Sequence, residues 1–394
     1  MTRMRFGIFM APFHAQTGQN PTAAYARDLS TIQLLDELGY DEAWIGEHHS
    51  CGVELIPAPE IFIAHAAAQT RYIKLGAGVI SLPYHNPLWV ADRMMLLDHL
   101  TRGRAMMGVG PGALPTDATM IGIDPLEQRA ALEEDFEVLM HLLLKDEPIS
   151  IQTKRYRLVD ARSQYRPFTD PCFDVAVAAI ASPSGPRLAG RYGVGLLSIG
   201  ATISEGFDVL NLHWDVMQER AAEFGTVADR AKWRLVGPMH LAESKDQAIK
   251  DVRHGLDAFC DYTQHTVAAP HFRAAGATFE ERVGWVNNTG LGVIGTPDEA
   301  IVQIERLAEQ SGGFGCYLLM AHEWADPEAT RRSYDLFARY VMPRFQNSST
   351  RLQASERWSA AVQAPLDAAQ AQALKEWTEK HAAEKAAKAA VAVG

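Results

Sequence analysis

Short apolar runs alternate with longer stretches of helical periodicity between residues 5 and 342, and the alternation occurs eight times. The runs are Arg5–Met10, Glu42–Gly46, Ile73–Leu82, Arg104–Val109, Phe173–Ala179, Val194–Ile199, Trp233–Leu241 and Gly315–Met320. Each reads as a short buried strand. Between them lie amphipathic patterns with recognisable starts. Asn20-Pro21 and Asn86-Pro87 place a capping side chain before a proline at the first helical position. Tyr25, Leu29, Ile32, Leu35 and Leu38 then recur at helical spacing up to Gly39, and Ala91, Met94, Leu97 and Leu100 do the same. Leu126–Lys145 carries Leu132, Phe136, Leu139 and Leu143 on one face. Further helices are expected over Ile61–Gln69, Arg187–Tyr192, Phe207–Phe224, Asp246–Phe259, Pro297–Gln310 and Pro327–Met342.

Eight strands, each followed by a helix, is the count of an α/β TIM-type (β/α)8 barrel. An open doubly wound sheet is the structural alternative. It usually has fewer strands, and neither Gly108–Ala113 nor Ser182–Pro186 fits G-x-G-x-x-G in frame. Two stretches break the rhythm. Residues 146–171 are polar, with Pro148, Pro167 and Pro171, and read as an excursion. Residues 262–290 read as an irregular, mobile lid. From Asn347 the chain is rich in alanine, glutamine, lysine and glutamate, and reads as a surface helix. Trp358 and Trp377 are its expected anchors to the barrel or to a second subunit. The expected division is a barrel over 1–346 and a helical extension over 347–394.

A net charge of −11 disfavours nucleic acid and anionic membrane surfaces as partners. No run of apolar residues reaches the length of a membrane span. The four cysteines, Cys51, Cys172, Cys260 and Cys316, are far apart. That disfavours a disulfide framework or a cysteine zinc site and suits a reducing compartment. Met1–Phe6 lacks an apolar signal core, so a cytoplasmic location is expected.

In such a barrel the functional groups sit at the carboxyl ends of the strands. That selects Met10-Ala11-Pro12, Glu47-His48-His49, Gly78 to Leu82, the glycines 108, 110 and 112, Ala181-Ser182, Ser198 to Gly200, His240 and His322-Glu323. Neighbours on an extended chain face opposite ways, which argues against Glu47, His48 and His49 sharing one metal. His48 could titrate near neutrality and act as acid or base; a hydrogen-bonded structural histidine fits equally well. Ala181 to Gly185 offers two hydroxyls and a glycine turn leading into a helix. It reads as a phosphate cradle at a helix start, or as an ordinary serine cap. The glycines of GVGPGA let a planar ring approach the backbone or merely supply turns.

Four ordered motifs are WIGEHHS at 44–50, KLGAGVISLPYHNP at 74–87, LDHLTRGRAMMGVGPG at 97–112 and SGGFGCYLL at 311–319. Together they resemble the bacterial-luciferase-like flavin monooxygenases over residues 4–345, and LPYHNP, GVGPG and SGGFGC most resemble the diketocamphane and limonene monooxygenase branch. The resemblance implies reduced FMN bound at the barrel mouth and supplied by a separate flavin reductase; the absence of clustered Cys/His ligands at recognised spacings predicts that it binds without a metal. Oxygen would then form a peroxyflavin that attacks a small hydrophobic substrate such as a cyclic ketone or terpenoid. Lactone formation, epoxidation and hydroxylation stay open, and a homodimer is expected. The resemblance implies that His48 is the active-site histidine and that Gly78–Val79 is a non-prolyl cis peptide. It makes Ala181, Ser182, Ser184 and Gly185 the phosphate loop, with Met10, Ala11, Gly110 and Ser198 completing the cofactor's surroundings. Ala181 departs from the family pattern, where luciferase has an acidic residue, and Gly110 lies near the place of a reactive cysteine. Two other readings are a deazaflavin-dependent hydride-transfer enzyme, which a basic cluster near Arg187 and Arg191 would favour, and a flavin-binding protein without turnover.

Overall fold

A computed structural model describes residues 3–11, 13–14, 18–203, 209–265 and 273–391. Its strands are β1 (Arg5–Met10), β2 (Glu42–Ile45), β3 (Lys74–Ser81), β4 (Ala105–Gly110), β5 (Ile149–Gln152), β6 (Arg157–Ala161), β7 (Asp174–Ala179), β8 (Gly195–Ile199), β9 (Trp233–Gly237), β10 (Met239–Leu241), β11 (Val293–Gly295) and β12 (Cys316–Met320). Eight of them close a barrel in the order β1-β2-β3-β4-β7-β8-β9-β12. Every pairing around the ring is parallel, and β12 returns to β1 with Arg5 opposite Cys316. The fold is therefore the TIM-type barrel that the eightfold alternation predicts.

The helices are α1 (Pro21–Glu37), α2 (Pro59–Ala67), α3 (Pro87–Thr101), α4 (Pro115–Ile121), α5 (Gln128–Leu144), α6 (Ser184–Tyr192), α7 (Leu210–Phe224), α8 (Lys245–Asp251), α9 (Leu256–His265), α10 (Phe279–Asn288), α11 (Pro297–Ser311), α12 (Pro327–Leu336), α13 (Met342–Gln346) and α14 (Thr350–Val391). The Asn-Pro pairs start helices as expected. The Asn20 side chain accepts from Thr22 N–H, and Asn86 accepts from Leu88 N–H, each at 3.0 Å. These bonds satisfy donors that a helix start leaves open.

Three expectations change. The seventh run is not one strand. Pro238 has no N–H to give a ladder, so β9 ends at Gly237, and β10 leaves the barrel to pair with β11. The 262–290 stretch is not wholly irregular either. Residues 262–265 finish α9, residues 266–272 lie outside the described part, and α10 follows. A reciprocal capping box between Thr278 and Glu281 fixes the start of α10. The expected single helix over Asp246–Phe259 divides at Gly255. A Cβ there would lie 1.9 Å from the Glu323 carbonyl oxygen, so only glycine lets the chain lie against the segment after β12. The polar excursion of residues 146–171 contains the antiparallel hairpin β5–β6.

Alternating side chains give the barrel two apolar layers. One set, including Ile8, Ile45, Leu75, Met107, Val177, Leu196, Leu235 and Leu319, packs under the helices. The other, Phe9, Trp44, Met106, Ala176, Leu197, Val236, Cys316 and Leu318, fills the interior. Trp44 is fully buried, and Cβ atoms on Gly76 or Gly78 would come within 2.7 Å of it. Below this plug the amino ends of the strands converge on charge. Arg234 donates to Glu42 through Nε at 2.7 Å and Nη2 at 3.2 Å, and it also pairs with Asp174. Arg5 Nε and Trp44 Nε1 donate to the same Glu42 at 2.7 and 2.9 Å. Burial opposes ionisation of Glu42, but the two guanidiniums outweigh it and bring its pKa down to about 2.

The chain divides into two compact units, Met1–Gln346 and Asn347–Gly394. In the second unit α14 runs for 42 residues through Pro365 and keeps Trp358 and Trp377 exposed.

Candidate active site at the barrel mouth

The carboxyl ends of the strands carry a histidine held between two carboxylates. His48 lies just beyond β2, where its backbone N–H donates to Ile56 O at 3.1 Å. Its Nε2 is 2.7 Å from Glu54 Oε2, and its Nδ1 is 3.3 Å from Asp117 Oδ2. Asp117, in the first turn of α4, is buried and also accepts from Ser50 Oγ at 2.5 Å. Burial alone would discharge the ring, but Glu54 and Asp117 outweigh it and raise the His48 pKa to about 10. This corrects the expectation of a histidine titrating near neutrality. The two carboxylates favour the charged ring, and both of its nitrogens are directed to them.

His49 takes different partners. Its Nε2 lies 2.9 Å from Glu47 Oε1, which also meets His85 Nε2 at 2.7 Å. Glu47 Oε2 accepts from Ser81 N–H at 2.7 Å, so this buried carboxylate ties the ends of β2 and β3 together. Burial works against its charge, yet these bonds hold its pKa below the usual glutamate range.

An apolar wall flanks His48. Phe13 packs edge-on to Phe259 at 5.3 Å between ring centroids and lies 5.0 Å from Tyr262, with Val53 and Cys51 alongside. On the inner side of the mouth sit Ala11 and Val79. The Gly78–Val79 peptide is cis. The Val79 side chain occupies the space beside Gly110, where a Cβ would come within 2.8 Å of it. Gly110 therefore makes room for Val79.

After β7 the chain passes half-buried Ala181 and Ser182 into α6. Ser182 Oγ and Ser184 Oγ are 2.7 Å apart, and no side chain caps the start of α6. A Cβ on Gly185 would lie 2.3 Å from Ala178 O, so this glycine lets the helix start sit directly over the end of β7.

Two expected site residues face elsewhere. Ser198 is fully buried behind the barrel wall, where its hydroxyl meets His213 Nδ1 at 3.0 Å and accepts from Trp233 Nε1 at 2.9 Å. Met10 packs in the outer layer and borders a cavity of about 160 Å³ with Phe13, His14, Asp28, Ala321 and Tyr334. Strand alternation is the reason in both cases: Phe9 and Leu197, their neighbours, point inward. Glu54, Asp117 and Tyr262 are the residues the sequence did not single out. Asp117 is 69 residues from His48 and Tyr262 is 208 from Glu54, so spacing holds no trace of them. The one local hint is an isolated carboxylate in the apolar run Val53-Glu54-Leu55-Ile56.

A parallel eight-strand barrel carries at its mouth a half-buried histidine between two carboxylates, an apolar wall and an uncapped helix start, the place where such barrels keep their active sites. The chain belongs to the luciferase-like monooxygenase family, whose profile matches residues 4–313, and is a flavin-dependent oxidoreductase of that family. It is similar to limonene 1,2-monooxygenase from Rhodococcus erythropolis, with 46% identity over 87% of this chain and 87% of the relative. It is also similar to 4-hydroxyprotoasukamycin monooxygenase from Streptomyces nodosus subsp. asukaensis, with 40% identity over 91% and 97%. Among solved structures it resembles the oxygenating constituent of 3,6-diketocamphane monooxygenase from Pseudomonas putida, a type II Baeyer–Villiger enzyme in complex with FMN. That likeness has a TM-score of 0.73 at 25% identity and covers 87% of this chain and 99% of that one. No described helix is long and apolar enough to cross a membrane. Among the described residues, no three His, Cys, Asp or Glu side chains are grouped to hold a metal ion.

Proposed function

We propose that the protein is a reduced-FMN-dependent monooxygenase acting on a small, hydrophobic cyclic substrate of terpenoid type, with the FMN delivered by a separate reductase. The observation that carries this reading is His48, held as an imidazolium between Glu54 and Asp117 beside the Phe13–Phe259–Tyr262 wall. The likeness to limonene 1,2-monooxygenase supports the substrate class, and the FMN complex of the diketocamphane enzyme supports the cofactor.

The residues present fit such a cofactor. Ser182 and Ser184 stand at an uncapped helix start, where hydroxyls, exposed N–H groups and the helix dipole together suit a phosphate. Ala11 and Val79 offer small apolar surfaces toward the mouth. Arg191, which a basic pocket for a deazaflavin tail would recruit, pairs instead with Glu137 at 3.0 Å and lies over Tyr192.

Bound reduced FMN supplies two electrons to O2, so that one oxygen atom enters the substrate and the other leaves as water. The chain's own work is done around that exchange. His48, with Nε2 toward Glu54 and Nδ1 toward Asp117, would hold a proton at the mouth and could pass it on only by turning from one of these carboxylates. The aromatic wall excludes water and seats the substrate's hydrocarbon face. We also infer a homodimer through α2 and α3. Ile61, Trp89, Leu96 and Leu100 are exposed there, and the three α3 residues recur on one stripe.

The test is turnover of the protein with chemically reduced FMN, 18O2, and either limonene or a bicyclic terpenoid ketone. One labelled oxygen atom in an epoxide, alcohol or lactone supports the reading. Substrate consumed without label, or turnover only with a deazaflavin, sinks it.

A further inference from the structure

We infer that Glu54 is the positioning residue for His48, and that Tyr262 locks Glu54 in place so that closure of the aromatic wall and placement of the histidine are one event. The inference rests on the monooxygenase reading for its functional meaning. Its geometry stands independently.

The two carboxylates beside His48 are not held alike. Asp117 has its own support, since Ser50 Oγ donates to it and Ser50 is bonded in turn to Thr116 Oγ1 at 2.7 Å. Glu54 lies on the loop after β2, and its two oxygens point opposite ways. Oε2 takes the shorter contact to His48, at 2.7 Å. Oε1 accepts from the Tyr262 hydroxyl at 3.3 Å. Among the described residues Tyr262 is the hydrogen-bond partner of the Glu54 side chain, and His48 is its ion-pair partner. The His48 and Glu54 side chains are each only 13% exposed, so solvent offers little substitute.

Tyr262 thus has two functions on one ring. Its hydroxyl fixes Glu54, and its face packs on Phe13, which also meets Phe259 of the same helix. The phenol resists ionisation, because burial and the nearby Glu54 carboxylate both disfavour a phenolate, so it stays a donor. An apolar substrate seated against Phe13 and α9 would hold Tyr262, and through it Glu54 and His48, in one arrangement. The titratable groups facing His48 are Glu54 from the β2 loop and Asp117 from α4, with His49 beside it and Tyr262 behind Glu54.

Two near-isosteric variants test this, Glu54→Gln and Tyr262→Phe, with their double. The first readout needs no cofactor: NMR titration of 15N-histidine-labelled protein. Glu54→Gln should move the His48 titration down toward the ordinary histidine range. Tyr262→Phe should speed solvent exchange of the His48 imidazolium N–H severalfold. Tyr262→Phe should leave the thermal midpoint unchanged, whereas Glu54→Gln should lower it at neutral pH with the barrel's circular dichroism intact, since the raised His48 pKa no longer contributes to stability. The second readout is turnover with reduced FMN. Each single variant should raise the peroxide released per product at least fivefold, with FMN affinity unchanged. The double should be no worse than Glu54→Gln alone, because Tyr262 acts through Glu54. An unmoved His48 titration in Glu54→Gln, or additive losses in the double, overturns the inference. If the parent gives no product with any substrate, the functional reading fails while the NMR result still decides the pairing.

Discussion

Arg234 lies across the barrel axis from Glu42 and reaches both of its carboxylate oxygens from a side chain with no solvent exposure. This pair sits at the amino end of the strands, where barrel residues serve stability.

Breaking the pair leaves buried Glu42 with only Arg5 and Trp44, and takes from Asp174 its Arg234 partner. Arg234→Met should cost about 3–5 kcal/mol in chemical denaturation. The pH dependence follows from the depressed pKa of Glu42. Its stabilisation is complete above the unfolded-state value near 4.5 and is lost as pH falls through about 2. Glu42→Gln should flatten the acid limb of the stability curve in that window. A loss below about 1 kcal/mol for Arg234→Met would show the pair to be dispensable.

His48 titrates the other way. With a folded pKa of about 10, its contribution to stability is full below about 6.5 and disappears as pH rises through 10. Product formation should therefore show no limb from His48 between pH 6 and 8. His48→Ala should lower product yield by about 10²–10⁴-fold while sparing FMN affinity. Rapid mixing with oxygen, followed alongside product yield, measures both. Parent-like yield from His48→Ala would leave the residue a structural role only.

Ser182 and Ser198 should separate cleanly. Ser182→Ala with Ser184→Ala should weaken FMN binding by roughly 1 kcal/mol or somewhat more per hydroxyl, with the fold intact. Ser198→Ala should leave FMN affinity alone and cost about 1–3 kcal/mol of stability, since His213 and Trp233 would lose a buried partner. Fluorescence titration and thermal melts of the same samples report the two quantities; reversed results would reverse the assignments.

The exposed stripe on α3 makes a prediction about assembly. Trp89→Glu with Leu100→Glu should shift sedimentation from dimer to monomer without unfolding the barrel. An unchanged dimer would place the interface on another face.

The barrel was legible because parallel strands covered on both sides are short continuous apolar runs, as in Arg5–Met10 and Cys316–Met320. The same property hid direction. A strand apolar on both faces carries no polar alternation, so nothing in GLLSI says that Leu197 points into the barrel and Ser198 away from it. His48 was visible as a residue, but its charge was not. Glu54 and Asp117 reach it from other segments, and only the fold sets those distances.

The interior plug of Phe9, Trp44, Met106, Leu197 and Leu318, sealed beneath by Arg234 and Glu42, has a consequence for traffic. The barrel is a cup with no drain. Whatever binds at the mouth enters and leaves on the carboxyl side of the strands, and under the proposed function cofactor, substrate and product would share that side. Under that reading, a product that lingers should compete with the next substrate for the same entrance.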